Sequence, residues 1–214
     1  MRIRLPLIIL YHNIIKGNPK FSRNGGQLMF KHIIDNDIEL RLVDMHHAGD
    51  MFKSIDSNRE HLRKYLPWVD STETIDDTIS FIKDSKKRYA ANGSFDASIW
   101  YKKEFAGVIG FHGINPSIKE ISIGYWLDEK YIGKGIMTKS CIEFINYAFD
   151  VYKLNRVEIR CAEDNLKSRA IPERLGFTKE GIIRDGELLN DGYTNCIIYG
   201  LLRREWNKYK YKTD

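Results

Sequence analysis

Cysteine is scarce in this chain of 214 residues: there are three. Cys141, Cys161 and Cys196 are odd in number, far apart and set in apolar patterns, which excludes a disulfide framework or a cysteine metal motif and reads as reduced core thiols. Long hydrophobic runs are missing too. No uninterrupted apolar stretch reaches the roughly 18 residues that a transmembrane helix needs, so no membrane partner is expected. Internal repeats and low-complexity tracts are absent. A basic excess is absent over most of the length. The net charge is +5, but the first 28 residues hold Arg2, Arg4, Lys16, Lys20 and Arg23 with no acidic residue, and beyond them the 29 acidic side chains are matched by as many basic ones. A non-specific nucleic-acid binder needs more positive charge than that. What is present, 43% hydrophobic, 29% charged and 12% aromatic residues, fits a soluble globular protein with one domain and a sizeable core.

Residues 1–28 read as a leader outside that domain. The apolar patch Leu5 to Leu10 is short, is interrupted by Pro6 and is followed by no small-residue cleavage site, which weighs against a secretory signal. Gly25-Gly26 shortly before Met29 can be encoded by the purine-rich element that bacteria place ahead of a start codon. The expectation is therefore that Met29 is the natural start, that residues 1–28 are a disordered leader or translated upstream sequence, and that residues 29–214 are the folded domain.

From Met29 the pattern predicts a strand near Glu39–Val43 and a helix near Ala48–Ser57, then a break at Leu66-Pro67-Trp68. A long helix is expected over Thr74–Ala91, with Ile75, Ile79, Ile82 and Lys86 on one stripe and Asn92-Gly93 ending it. Strands follow near Phe95–Tyr101, Phe105–Phe111 and Ile118–Leu127. A helix runs from Lys134, where Met137, Cys141, Phe144, Ile145 and Ala148 share a face. The strand Arg156–Cys161 alternates, with Val157, Ile159 and Cys161 on one side. A short helix ending before Gly176 and strands near Phe177–Arg184 and Tyr193–Leu202 close the chain. Strand 118–127, helix 134–149 and strand 156–161 form a βαβ crossover, so those two strands should be parallel in an otherwise antiparallel or mixed sheet.

The turn Lys130-Tyr131-Ile132-Gly133-Lys134-Gly135 is the most informative segment. It passes from strand to helix through two glycines, and the helix it opens presents unpaired backbone N–H groups and the positive end of its dipole. Glycine removes the Cβ atoms that would hold a phosphate away. A nucleoside-triphosphate loop needs G-x-x-x-x-G-K-[ST], and no Gly-Lys-Ser/Thr stands at that spacing. A dinucleotide fingerprint needs a third glycine or an alanine where Thr138 stands. A coenzyme A-type anion, or an ordinary tight turn, remains.

The wider pattern resembles the GCN5-related N-acetyltransferases, the GNAT superfamily, and within it the RimJ/RimL-type ribosomal-protein N-acetyltransferases. Lys130-x-x-Gly133-x-Gly135 is similar to the family's [RQ]-x-x-G-x-[GA], with Lys in place of Arg or Gln. Ile123-Gly124-Tyr125-Trp126-Leu127, Leu154-Asn155-Arg156-Val157, Asn165-x-x-Ser168, Glu173-Arg174-Leu175-Gly176-Phe177 and Leu66-Pro67-Trp68 follow the same pattern, in order, over about residues 37 to 206.

The resemblance implies a mixed α/β (α+β) fold, a central, mostly antiparallel sheet with one splayed parallel pair flanked by helices. It further implies an acetyl-CoA-dependent, metal-free, cytoplasmic enzyme, with a homodimer as one expected assembly. The pantetheine arm would pair with backbone groups of Trp126 and Leu127. The pyrophosphate would sit on Gly133, Lys134, Gly135, Ile136 and Met137, with charge from Lys130 and Lys134, and Asn165 would cap the next helix or bind the pantetheine amide. In Rim-type members a Ser in the position of Ser168 is proposed to protonate the departing thiolate, and simple capping is the alternative. Pro172 lacks the N–H that the carbonyl of residue 168 would use, so the helix there should be irregular. Transfer to an amine that is mostly protonated at neutral pH requires a proton acceptor, and the RimL-type pattern carries an acidic residue at Glu187; a solvent-exposed hairpin carboxylate is the alternative. His112 reads first as a strand-end histidine with ordinary hydrogen bonds and second as a base. Tyr65 and Trp68 are candidates for the acceptor pocket or for core packing. The favoured acceptor is the N-terminal α-amine of a protein, by resemblance; the alternatives are a small-molecule amine and a CoA-binding regulatory protein without turnover.

Overall fold

A computed structural model describes residues 31–206, so the expected leader lies outside the described residues. The elements are β1 (Lys31–Ile33), β2 (Ile38–Leu42), α1 (Ala48–Ser57), α2 (Arg59–Leu62), α3 (Ile75–Asn92), β3 (Asp96–Tyr101), β4 (Glu104–Asn115), β5 (Glu120–Leu127), α4 (Ile136–Asn146), β6 (Arg156–Ala162), α5 (Leu166–Arg174), β7 (Thr178–Leu189) and β8 (Gly192–Leu202). The strands form one eight-stranded sheet in the order β1-β2-β3-β4-β5-β6-β8-β7. Every neighbouring pair is antiparallel except β5 and β6, the pair joined by the α4 crossover. The mixed, mostly antiparallel architecture is the one expected.

Alternation sends successive side chains to opposite sides of the sheet. One side buries Ile99, Ile109, Phe111, Ile121, Ile123, Val157 and Ile159 against Cys141, Phe144 and Ile145 of α4. The other buries Trp100, Phe105 and Val108 against Met51 and Ile55 of α1 and Ile82 of α3. All three cysteines are free and buried.

Helix α3 follows its sequence signals. Thr74 and Asp77 form a capping box at the start, and Gly93, at φ 82°, takes the left-handed conformation at the end. Of the expected stripe, Ile82 is fully buried and Ile79 half-buried, while Ile75 in the first turn and Lys86 are exposed. Helix α4 begins at Ile136 rather than Lys134, since Gly133 (φ 81°) and Gly135 (φ 74°) are both left-handed and cannot lie inside a right-handed helix. It continues as a wider π turn over Tyr147–Val151. Strands β4 and β7 run further than expected, to Asn115 and Leu189, and β5 starts at Glu120 rather than Ile118. Pro67 opens a short 3-10 turn, Pro67–Val69, after α2. Among the described residues no helix is long and apolar enough to cross a membrane.

Candidate active site

Strands β5 and β6 part company. Strand β5 pairs with β4 as far as Leu127, and β6 pairs with β8 as far as Ala162. Between themselves they share three rungs, Glu120↔Arg156, Ile121↔Val157 and Ser122↔Glu158. From Ile123 and Ile159 onward each strand keeps its outer neighbour and lacks the inner one, which leaves main-chain edges facing a gap. Arg156 clamps the closed end. It donates from Nε to Glu120 (2.5 Å), from Nη2 to Glu158 (2.7 Å) and from Nη1 to Glu180 of β7 (2.6 Å). The guanidinium lies on Gly200, where a Cβ would stand 2.0 Å from Nη1. Near the open end, a register shift between β3 and β4 at Ile99/Trp100 bends the sheet.

The glycine turn lies at the mouth of this gap. Asp128, buried, accepts from the Lys130 N–H (3.1 Å) and from Ser54 Oγ of α1 (3.1 Å), and Asn58 Oδ1 accepts from the Glu129 N–H (3.1 Å). These bonds fix the approach. A Cβ at Gly133 or Gly135 would meet nothing within 4 Å, so the glycines serve conformation and leave open space in front of the loop. No side chain caps α4, while Ile136 and Met137 anchor its first turn in the core. Lys130 Nζ stands 3.5 Å from Glu104 and 4.7 Å above the Tyr131 ring. Lys134 Nζ lies 5.2 Å from the Tyr131 ring and 5.4 Å from that of Tyr101. Arg174, at the end of α5, donates to Thr138 Oγ1 at 2.8 Å in the first turn of α4.

On the α4 side of the sheet the gap is lined by a hydroxyl and thiol cluster. Asn165 caps α5 by accepting from the Ser168 N–H (3.1 Å). Ser168 Oγ lies 3.3 Å from the Tyr125 hydroxyl and 3.2 Å from Cys161 Sγ. Pro172 cannot donate to the Ser168 carbonyl, and the Tyr125 hydroxyl does so instead at 3.1 Å. Burial, reinforced by the neighbouring thiols, raises the Tyr125 pKa well above its usual value and keeps the phenol protonated. Burial likewise pushes the Cys161 thiol up to about 11. Tyr125 and Cys161 were not among the expected site residues. Their alternation, on one face of two adjacent parallel strands, is the signal that could have found them.

Glu187 occupies the other side. Ile197, Tyr199 and Leu201 of β8 point into the α4 core, so Cys196 points away from it, and Cys196 Sγ donates toward Glu187 Oε1 at 3.7 Å. Glu187 is half-buried within β7, opposite Thr194, and not on an exposed hairpin tip. Burial raises its pKa, with the Cys196 contact and the nearby Arg160 charge acting in the opposite direction. Trp126 points to this side as well. Its ring lies 6.1 Å from that of Trp68 and 5.8 Å from that of Phe105. Tyr65 donates to the Asp164 carbonyl (3.2 Å), and Asn190, at the β7–β8 turn, donates to the Arg63 carbonyl (3.0 Å). The segment after α2 thus bridges to both walls of the gap. His112 stands opposite Ser122 with its ring against Gly124, where a Cβ would lie 2.9 Å from Nε2. The expected residues therefore fall into a loop group (Trp126 to Met137), a helix-cap group (Asn165, Ser168) and an opposite-face group (Glu187, Trp68, Tyr65). Among the described residues no set of His, Cys, Asp or Glu is arranged to hold a metal ion.

Comparison with known proteins agrees with this geometry. Residues 37–178 match the acetyltransferase (GNAT) domain family. YdaF of Bacillus subtilis (strain 168) is 36% identical over 185 residues, covering 85% of this chain and 100% of that protein. The structure of RimL, the ribosomal L7/L12 alpha-N-protein acetyltransferase, in complex with coenzyme A as a CoA–cysteine disulfide, superposes with a TM-score of 0.77 at 28% identity, covering 82% of this chain and 99% of that one. The microcin C7 self-immunity acetyltransferase MccE, in complex with acetyl-CoA and AMP, gives a TM-score of 0.76 at 31% identity, covering 79% and 94%. The chain belongs to the GNAT family and is an N-acetyltransferase.

Proposed function

We propose that this enzyme transfers acetyl from acetyl-CoA directly to the N-terminal α-amine of a protein, with a ribosomal protein as the favoured acceptor. The carrying observation is the gap between β5 and β6, whose unpaired edges suit an extended amide-bearing arm acting as a substitute strand. The open space before Gly133 and Gly135 and the uncapped start of α4 suit a pyrophosphate. Acetyl-CoA, when bound, supplies an acetyl thioester. The backbone of Trp126 and Leu127 holds the arm, the N–H groups from Gly133 to Met137 hold the phosphates, and Lys130 and Lys134 add charge. Asn165 fixes Ser168 through its cap.

The two proton-handling groups lie on opposite faces of the gap. Glu187 Oε takes a proton from the amine, directly or through a water, and its raised pKa makes it a stronger base than an ordinary carboxylate. Ser168 Oγ gives a proton on the α4 side, where Tyr125 keeps it oriented. An α-amine, intrinsically near pKa 8, asks less of Glu187 than a lysine near 10.4. Tyr65 and Trp68 wall the acceptor side. Ribosomal-protein acceptors are named for RimL. MccE, whose name concerns microcin self-immunity, supports a small-molecule amine as the second reading. The test is an acetyl-CoA turnover screen over peptides with free N-termini and a panel of small amines, read by mass spectrometry. Acetylated peptide N-termini are expected; turnover of small amines alone would select the second reading.

A further inference from the structure

The acceptor side of the gap carries a cation that the chemistry above does not use. Beyond the last rung, Ser122↔Glu158, the next positions on the Glu187 face are Gly124 on β5 and Arg160 on β6. Gly124 has no side chain and the His112 ring of β4 covers it, so on β6 Arg160 is the first long side chain at that mouth. Its Nε donates to Glu158 Oε1 at 2.6 Å. Glu158 is only 5% exposed and is itself held by Arg156 Nη2 at 2.7 Å, so the anchor is fixed. Among the described residues this is the one side-chain hydrogen bond that Arg160 makes, and its side chain is 53% exposed. Both Nη groups thus remain on a plane whose orientation is set from behind. The Arg160 charge acts on both Glu187 and Cys196, which places it within electrostatic reach of the carboxylate that receives the amine.

We propose that Arg160 is a specificity-determining residue that binds the carbonyl oxygen adjoining the acceptor's amine, and so selects α-aminoacyl acceptors over isolated alkylamines. This rests on the proposed acceptor side of the gap. A guanidinium that shares a face of the gap with a carboxylate matches a group that offers N–H donors and, two bonds away, a carbonyl acceptor. A peptide N-terminus and an aminoacyl small molecule have that spacing. An alkylamine has no oxygen to offer. A purely structural ion pair is the competing account, but Glu158 already has Arg156, and a structural role would affect all acceptors alike.

The experiment measures kcat/KM for a tripeptide with a free α-amine and for n-butylamine, in the wild type and in the Arg160→Met and Arg160→Lys variants. The tripeptide-to-butylamine ratio is expected to fall about 10- to 100-fold in Arg160→Met, as for loss of a hydrogen bond to a charged group. Arg160→Lys should fall between, since it keeps the charge without the planar fork. Both acceptors share one enzyme sample, so any misfolded fraction cancels. An unchanged ratio, with or without a common loss of rate, overturns the role of Arg160 and leaves the proposed function standing. A wild type that acetylates neither amine, or only butylamine, overturns both.

Discussion

The two ends of the β5–β6 pair are built from the same strands and are held in opposite ways. At the closed end, three rungs of main-chain pairing are reinforced by Arg156, whose side chain is 16% exposed and ties Glu120, Glu158 and Glu180 together across three strands. At the open end, from Ile123 to Leu127 and from Ile159 to Ala162, each strand relies on its outer neighbour alone. Backbone polar groups are seldom left unpaired, so an edge of this kind is an unfinished ladder awaiting a partner. The contrast also divides labour between faces. The α4 face gathers Ser168, Tyr125 and Cys161, and the opposite face gathers Glu187, Trp126 and Arg160. A group bound in the gap would meet both sets, each from its own side.

Substitutions can break this contrast at either end. The largest effect is expected from Glu187→Gln, with kcat/KM at pH 7 falling roughly 10²- to 10³-fold. The wild-type profile should lose activity as pH falls through a value above the ordinary 4.5 of glutamate, and the variant should lack that limb. The stability sign is opposite to the activity sign. A carboxyl whose folded-state pKa is raised costs stability when ionised, so at pH 7 the variant should melt no lower than the wild type, and the difference should vanish below the unfolded-state pKa. Thermal melts at pH 7 and pH 3.5 check this.

At the closed end, Arg156→Met strands Glu120 and Glu180, leaves Glu158 to Arg160 alone and should lower the unfolding free energy by about 2–3 kcal/mol, the range for a partly buried ion network losing its centre. Urea unfolding measures it. Ser168→Ala should lower kcat by about 10- to 50-fold with little change in the KM for acetyl-CoA, as expected for a group acting on the leaving side. The smallest effect belongs to the loop. Gly133→Val forces a β-branched residue to φ 81° and should weaken coenzyme A binding roughly tenfold, read by calorimetry.

Much of this architecture is legible from residue patterns, and the exceptions share a cause. The α4 crossover, the Asn92-Gly93 helix end and the two loop glycines depend on neighbours in sequence, where period and turn chemistry act directly. The extent of β7 does not. Register shifts at Lys179/Gly181 and Ile183/Glu187, with Asp185 at φ 49°, interrupt its alternation and make a strand look like a turn, which is why an exposed hairpin carboxylate stands as the alternative for Glu187 in the sequence. Helix α2, Arg59–Leu62, is too short and polar to show a period. The Ser168–Tyr125 contact joins residues 43 apart, and the three partners of Arg156 lie on three strands. The opening of the gap is likewise a property of pairing, and residue pattern alone marks only that the two strands are parallel.

Hydrogen exchange of the backbone amides, with and without coenzyme A, measures that opening directly. Saturating coenzyme A should slow exchange at least tenfold in peptides covering residues 123–127 and leave those covering residues 120–122 nearly unchanged, since the first group gains a partner and the second already has one. Equal protection at both ends, or none at the open end, would contradict the substitute-strand account.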